Sequence, residues 1–153
     1  MLEEDTQRGR FLTFALGRES FGLEIIFIKE IVGLQPITPL PETPEYVMGI
    51  INLRGRIIPV IDARLRFGME HSDYTDRTCI IVVENQDASM GLIVDSVSEV
   101  LTIDDSSVAP PPEYATGTHA GIVKAIGKVG NDVKLLLDCQ RLFAGVKADQ
   151  TQD

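Results

Sequence analysis

Two strongly apolar runs dominate the pattern of the chain, within the block 48–62, and they flank the turn-like segment Asn52–Gly55. β-Branched residues fill both runs, which is typical of buried strands, and the glycine between them indicates a turn or a bulge. Arg54 lies inside this apolar block, where a charge is costly unless a partner pairs with it. The pattern predicts a pair of strands and makes Arg54 the residue to explain.

Alternating apolar and polar residues predict further strands, and glycine or polar clusters predict the hairpin turns between them. The predicted strands cover residues 10–17, 21–24, 77–84, 90–95, 121–129 and 132–137. Short helical turns are predicted at 63–67 and 138–143, and four prolines from Pro36 to Pro44 predict an extended path. Segment 25–32 fits a strand or a short helix, and the spacing of its apolar positions favours the helix. The chain is therefore predicted to be mainly β.

An internal repeat organises these elements. Residues 22–32 match 91–101 at an offset of 69, residues 49–55 match 121–127 at 72, and residues 59–67 match 135–143 at 76. Two copies of a small β unit, each ending in an Asp-led helical turn, account for the three matches. About five strands per copy suit a small barrel, which removes exposed sheet edges. In this alignment Ile126 is the counterpart of Arg54, so the fold itself does not require the arginine.

Composition limits the function. At 153 residues the chain suits one compact unit or two very small, intimately joined ones, and 44% hydrophobic residues are ample for a core. A net charge of −9 disfavours nucleic acid and anionic membrane surfaces as partners. No stretch is long and apolar enough for insertion into a membrane, and the acidic N-terminus lacks a signal-peptide pattern, so a cytoplasmic protein is expected.

Catalytic, cofactor or metal-binding machinery is not predicted from any motif. His71 and His119 lie in polar loops without a metal-like partner spacing, and both are interpreted as exposed loop residues. Nucleophile elbows and phosphate-binding loops are missing from the sequence. Cys79 and Cys139 stand alone in apolar runs and are interpreted as buried structural thiols.

The repeat-related segments 25–32 and 94–101 carry the binding hypothesis. Each follows a Gly-Leu strand, and each presents one acid, Glu30 or Glu99. In a two-barrel protein they are expected to meet near the junction, either cementing it or leaving an apolar groove for a partner. Arg54 has two interpretations: an ion pair with Glu30 that braces this segment, which we favour, or a surface anchor.

The segments 49–55 and 57–62 together resemble the signature of CheW-type chemotaxis coupling proteins. The similarity runs from about Phe11 to Phe143 and includes the 21–25 opening, the proline-rich stretch and the 91–95 strand. Many members have Leu after the Asp of the signature where this chain has Ala63, a change expected only to loosen a turn. The resemblance implies two intertwined SH3-like five-stranded β-barrels with short helices.

The resemblance also implies a function. Members are non-enzymatic adaptors that couple chemoreceptors to the histidine kinase CheA, and they bind the helical hairpin tip of the receptor and the regulatory domain of the kinase. The adaptor would be a monomer when free and would be recruited from the cytoplasm to membrane-associated receptor arrays. The implied receptor-binding residues are Leu12, Ile25, Ile28, Glu30, Ile31, Arg54 and Val97. The expected kinase-binding residues are Pro44, Val47, Met48 and Gly49.

The domain prediction follows the repeat. A single domain spans 10–143, its two barrels cover roughly 10–85 and 86–143 with strands exchanged at the junction, and the polar ends 1–9 and 144–153 are flexible. Two alternative functions remain at this point. One is a detached regulatory domain of a CheA-like kinase. The other is a small-barrel enzyme or ligand-binding protein, which would need a deep pocket with converging titratable groups.

Overall fold

Eleven strands and two short α-helices make up the fold in a computed structural model that describes residues 9–111 and 121–146. The helices are Ala63–Arg66 and Cys139–Leu142, and 3₁₀ turns lie at Ile25–Phe27 and Asp105–Ser107. The strands are β1 Arg10–Leu16, β2 Glu19–Glu24, β3 Ile28–Gly33, β4 Val47–Leu53, β5 Arg56–Asp62, β6 Cys79–Asn85, β7 Ala88–Val94, β8 Ser96–Thr102, β9 Val108–Ala109, β10 Val123–Val129 and β11 Asp132–Leu137. The predicted mainly β class is confirmed.

The strands form two sheets that exchange hairpins. Sheet A has the order β8-β1-β2-β11-β10-β9, and sheet B has the order β3-β6-β7-β5-β4. Strand β2 pairs in parallel with β11, and β7 pairs in parallel with β5. Each sheet therefore combines the opening hairpin of one repeat with the later strands of the other. The intertwined two-barrel fold implied by the resemblance is the fold observed.

The exchange places two repeat-related glycines at equivalent contacts. Gly91 pairs with Val60 and Gly22 pairs with Leu136, across the two parallel strand pairs. A Cβ atom on Gly91 would lie 2.7 Å from the Val60 side chain, and one on Gly22 would lie 2.8 Å from the Leu136 side chain. Glycine is favoured at both positions because a Cβ atom there would require the neighbouring side chain to shift.

Buried apolar side chains of the described residues form three clusters. One lies within sheet B and includes Ile51, Val60 and Val82. A smaller cluster lies within sheet A around Phe11 and Leu136. The largest cluster draws side chains from both sheets and from the two helices, and it lies between the sheets. We call it the junction core. Because it depends on both sheets, neither barrel carries a complete core of its own.

The helical prediction for segment 25–32 is wrong beyond its first three residues. Residues 25–27 form the 3₁₀ turn, but β3 continues as an edge strand of sheet B. The pairing of β3 with β6 shifts register between Ile28 and Glu30, which makes Lys29 a bulge. A bulge adds one residue to the strand, so Ile28 and Ile31 face the same side although they are three residues apart. That spacing imitates the helical pattern in the sequence.

The predicted counterpart of Arg54 is also wrong. Register pairs Gly49 with Val60 in the first repeat and Ala125 with Leu136 in the second. The offset is therefore 76 in this hairpin rather than 72, and Ile126 corresponds to Ile50. Arg54 corresponds to Gly130, and both residues begin the hairpin turn. The sequence alignment matched the glycines of segment 49–55 with those of segment 121–127, but the two sets lie at different structural positions.

The residues that directly follow the predicted domain contact the rest of the protein. The Ala144 carbonyl accepts a hydrogen bond from the Tyr46 hydroxyl, and Val146 packs on the junction core, so the first residues of the predicted tail are held. Residues 1–8 and 147–153 lie outside the described residues. No helix in the described ranges 9–111 and 121–146 is long and apolar enough to span a membrane.

Candidate functional site: the junction face

The edge strands β3 and β8 present matching apolar residues toward the junction. Ile28 pairs with Val83 and Ile31 with Ile81, whose side chains both belong to the junction core. On β8, Val97 pairs with Phe14 and Val100 with Leu12, again residues of the junction core. Directly paired residues share a face of a sheet. We call the surface formed by Ile28, Ile31, Val97 and Val100, with Ile25 beside them, the junction face.

Bulges at equivalent positions shape both edge strands. In β8 the register shifts opposite Thr13, whose hydroxyl donates to the Glu99 carbonyl at 2.9 Å and accepts from the Glu99 amide at 3.2 Å. In β3 the extra residue is Lys29, whose ammonium lies 3.8 Å from Glu84. Bulges twist an edge away from unwanted strand pairing.

The exposed part of the junction face includes residues that the sequence missed. Ile31 is 44% exposed, and its repeat mate Val100 is 46% exposed. Ile26 in the adjacent 3₁₀ turn is 50% exposed. Val100 could have been found from the sequence, because the offset of 69 relates it to Ile31. By contrast Leu12 is only 4% exposed and forms the floor beneath the face.

Glu30 and Arg54 lie on the other side of β3. Glu30 pairs with Val82, a residue of the sheet B core, so its side chain shares the face opposite to Ile28 and Ile31. The Arg54 guanidinium donates to the Glu30 carboxylate from the turn at the end of β4. Strands β3 and β4 are the two edges of sheet B. The ion pair therefore bridges the open seam of this barrel and supports the junction face from behind.

The Arg54 side chain is exposed, and the Arg54 backbone is strained. Its side chain is 66% exposed, so the burial cost expected from the apolar surroundings does not arise. Its backbone is left-handed, with φ of 52°, and the following Gly55 has φ of 87°. The Asn52 side chain accepts a hydrogen bond from the Gly55 amide and closes the turn. Non-glycine residues seldom adopt this backbone, and such strain concentrates at functional sites.

The expected kinase-binding residues separate into two groups. Pro44 and Val47 line an open cavity of about 530 Å³ between the proline-rich segment and the end of the described chain. Met48 instead packs on the sheet B core. Gly49 is buried, and a Cβ atom there would lie 2.1 Å from the Thr38 carbonyl oxygen, so its glycine has a structural cause. Further lining residues of the cavity are Leu40, Pro41, Glu42, Thr43, Pro59, Gly145 and Val146.

Titratable groups outside these surfaces serve the fold. The buried Asp62 carboxylate caps the Ala63–Arg66 helix by accepting from the Arg64 amide at 2.9 Å, and it also accepts from the Tyr74 hydroxyl at 2.9 Å. Burial and this hydrogen bond raise the pKa of Tyr74. His71 lies 3.4 Å from Asp62 and packs edge-on against Tyr74, so it is more engaged than the sequence suggested. His119 lies outside the described residues.

Arg64 and Asp95 form a second structural pair. The Arg64 guanidinium donates to both Asp95 oxygens, at 2.9 and 2.6 Å, and the Gly17 amide donates to the same carboxylate at 2.8 Å. The Arg64 hydrogen bonds hold the pKa of Asp95 below its usual range. The pair ties the β1–β2 turn to the start of β8 and takes no part in the junction face.

Neither cysteine forms a disulfide, as the sequence predicted. Cys139 is buried, and its burial raises the pKa of the thiol to about 12. Cys79 is half-buried, and burial also raises its pKa. Across the part of the chain that the structure describes, no group of three or more His, Cys, Asp or Glu residues could hold a metal ion.

Two interleaved barrels with open apolar surfaces define a protein that works through contacts with other proteins. The family model of the CheW-like domain matches residues 10–147. Chemotaxis protein CheW of Klebsiella aerogenes is 33% identical over 143 residues, covering 94% of this chain and 86% of the relative. Chemotaxis protein CheW of Rhizobium meliloti is 34% identical and covers 90% of both chains.

A solved structure agrees with these sequence matches. The scaffolding protein TtCheW from Thermoanaerobacter tengcongensis superposes with a TM-score of 0.83 at 40% identity, covering 92% of this chain and 96% of that one. The chain therefore belongs to the CheW-like family. It is a non-enzymatic adaptor, or scaffold, of chemotaxis signal transduction, and the two alternative functions are not favoured.

Proposed function

We propose that this adaptor couples a chemoreceptor to the histidine kinase CheA through two separate surfaces. The receptor would present its helical hairpin tip to the junction face, and the regulatory domain of CheA would bind at the cavity that Pro44 and Val47 line. The adaptor would act as a monomer in the cytoplasm and be recruited to membrane-associated receptor arrays. Holding receptor and kinase together raises their effective concentration and lets a receptor displacement alter kinase activity.

The observation that carries the receptor proposal is the paired exposure of Ile31 and Val100 on two edge strands. Both side chains are more than 40% exposed, yet both lie on the face whose inner part packs on the junction core. Apolar anchors at regular intervals beside a charged pair suit an amphipathic helix laid in a groove. Leu12, Ile25, Ile28 and Val97 would supply the floor and walls of the groove, while Glu30 and Arg54, on the opposite side of β3, would brace the strand from behind and meet the receptor only at its edge.

The kinase proposal rests on the cavity of about 530 Å³. Its lining combines apolar residues with Glu42 and Thr43, so polar and apolar surface contribute about equally, and the exposed acid Glu45 lies beside the same segment. An apolar side chain of the kinase regulatory domain would enter the cavity, with complementary basic groups around it. Met48 and Gly49 would support this wall from beneath rather than touch the kinase.

A three-component pull-down tests both contacts. Ile31→Asp and Val100→Asp should abolish capture of the receptor tip and leave capture of the kinase regulatory domain intact, because each places a charge in a desolvated apolar contact. Val47→Asp should have the opposite effect. Val133→Asp is the matched control, since Val133 is 52% exposed on β11 outside both surfaces.

Two outcomes would contradict the proposal. Loss of receptor capture in Val133→Asp as strong as in Ile31→Asp would mean that added charge alone disturbs the assay. Unchanged receptor capture in both junction-face variants would mean that the receptor binds elsewhere. Thermal unfolding of each variant separates a lost contact from a lost fold.

A further inference from the structure

Arg66 is a buried cation that the family function leaves unexplained. It is 8% exposed, and no carboxylate of the described residues lies within 4.0 Å of its guanidinium. Its Nε donates to the Leu142 carbonyl and its Nη2 to the Arg141 carbonyl, both at 2.8 Å. These carbonyls belong to the last residues of the Cys139–Leu142 helix, where no further helical turn follows, and the Arg141 carbonyl also accepts from the Ala144 amide at 3.3 Å. Arg66 therefore caps the helix from the other repeat.

Tyr46 completes the same arrangement. The Arg66 guanidinium carbon lies 4.7 Å from the centre of the Tyr46 ring, and the Tyr46 hydroxyl donates to the Ala144 carbonyl at 3.1 Å. The Tyr46 carbonyl in turn accepts from the Asp62 amide at 2.8 Å, which fixes the tyrosine against the end of β5. We call the two side chains, with the carbonyls of residues 141, 142 and 144, the C-terminal clamp.

The clamp lies between the two walls of the cavity described above. Pro44 and Val47 flank Tyr46 in the chain, and the Val47 amide donates to the Pro44 carbonyl at 3.0 Å. The opposite wall is Gly145 and Val146, directly after the carbonyl that Tyr46 holds. Both walls are therefore attached to the same pair of side chains, which acts beside the packing of Val146 on the junction core and the hydrogen bond from the Val146 amide to the Phe143 carbonyl at 3.0 Å.

The repeat argues that a charge at position 66 is not needed for the fold. The offset of 76 makes Leu142 the counterpart of Arg66, and Leu142 is an apolar residue with 0% exposure. A buried cation costs free energy that an apolar side chain of similar size avoids. Arg66 occurs in only one repeat, and the cavity with its two walls also belongs to only that repeat. A role of Arg66 in holding the cavity therefore explains the charge.

We propose that Arg66 is a positioning residue for the kinase contact, acting through the C-terminal clamp without touching the partner. The inference rests on the proposed binding of the kinase regulatory domain at the cavity. The clamp holds Gly145 and Val146 at the distance from Pro44 and Val47 that the partner's side chain requires. Loss of the clamp therefore lowers kinase affinity and leaves the junction face, which shares no residue with the clamp, unchanged.

Titration of wild type and variants with the kinase regulatory domain and with the receptor tip tests this proposal. Arg66→Met should raise the Kd for the kinase domain about tenfold, which corresponds to about 1.4 kcal/mol, while the Kd for the receptor tip stays within about threefold. Arg66→Lys should recover part of the affinity, since an ammonium can still donate to one carbonyl. Tyr46→Phe, which loses only the hydroxyl contact with Ala144, should raise the kinase Kd about threefold.

Arg64→Met is the matched control, because Arg64 lies in the same helix but pairs with Asp95 away from the cavity. It should leave both affinities unchanged. Equal losses toward receptor and kinase in Arg66→Met, or wild-type kinase affinity in folded Arg66→Met, would overturn the inference. If Arg66→Met does not fold, unchanged kinase affinity in Tyr46→Phe overturns it instead. Failure of the underlying contact is recognised separately, because Val47→Asp would then bind the kinase domain normally.

Discussion

At the scale of single residues, two free energies decide whether Arg54 serves mainly to brace β3 through its ion pair. A left-handed backbone costs a non-glycine residue about 1–2 kcal/mol, whereas an ion pair with an arginine that is 66% exposed contributes less than about 1 kcal/mol. The strain therefore equals or exceeds the bracing contribution. The structural counterpart of Arg54 is Gly130, which has φ of 61°. Glycine is the residue that this left-handed backbone favours. Stability alone therefore does not explain the arginine, which favours the surface-anchor interpretation as a prediction to be tested.

Arg54→Gly tests this comparison. The variant should be as stable as wild type or more stable by up to about 1 kcal/mol, because glycine relieves the strained turn, while receptor binding should fall. Arg54→Ala keeps the strain and loses the ion pair, so it should be less stable than Arg54→Gly by about 1 kcal/mol. Urea unfolding and receptor pull-down measure the two effects. A loss of more than about 1 kcal/mol in Arg54→Gly would make the pair with Glu30 a structural support.

At the scale of elements, close approach between exchanged strands decides which residues are tolerated. Gly22 and Gly91 occupy equivalent positions, but their neighbours differ in stiffness. A Cβ on Gly91 would lie 2.7 Å from Val60 and 2.8 Å from Ile80, both β-branched, whereas one on Gly22 would meet the far end of Leu136 at 2.8 Å. β-Branched side chains have little rotamer freedom, so they cannot move aside as the leucine can.

Gly91→Ala should therefore destabilise the protein more than Gly22→Ala does. Overpacking in a core typically costs about 1–3 kcal/mol, and we expect Gly91→Ala at the upper end and Gly22→Ala at the lower end of that range. Denaturant midpoints of the two variants, compared at equal m-value, give the difference in their free energies of unfolding directly. Equal costs would mean that the backbone, rather than the neighbouring side chain, absorbs the added methyl group.

At the scale of the whole molecule, hairpin exchange joins two repeats into one cooperative unit. The junction core contains residues of both sheets, and each sheet contains strands of both repeats. Removing one barrel would expose the junction core and leave strand edges unpaired. Folding of either repeat alone is therefore unfavourable.

The whole-molecule prediction is a single unfolding transition. Fluorescence or circular dichroism and calorimetry should give the same midpoint, and Gly91→Ala in sheet B should shift the transition of sheet A by the same amount. Hydrogen exchange of amides in β1 and β6 would report the two sheets separately. Two resolved transitions, or a shift confined to sheet B, would show that the barrels unfold independently.

The sequence by itself determined most of the strands, the turns, the existence of the repeat and the family, because alternating patterns and turn residues act locally and survive without knowledge of the fold. Tertiary structure alone decided three other matters. Segment 28–33 is a strand despite its helix-like spacing, because a bulge at Lys29 puts Ile28 and Ile31 on one face. The bulge could not be predicted, since register depends on the partner strand. The strand register identified Gly130, and not Ile126, as the counterpart of Arg54. The clamp formed by Arg66 and Tyr46 joins residues about 76 and 98 positions from their partners, a proximity that only packing creates.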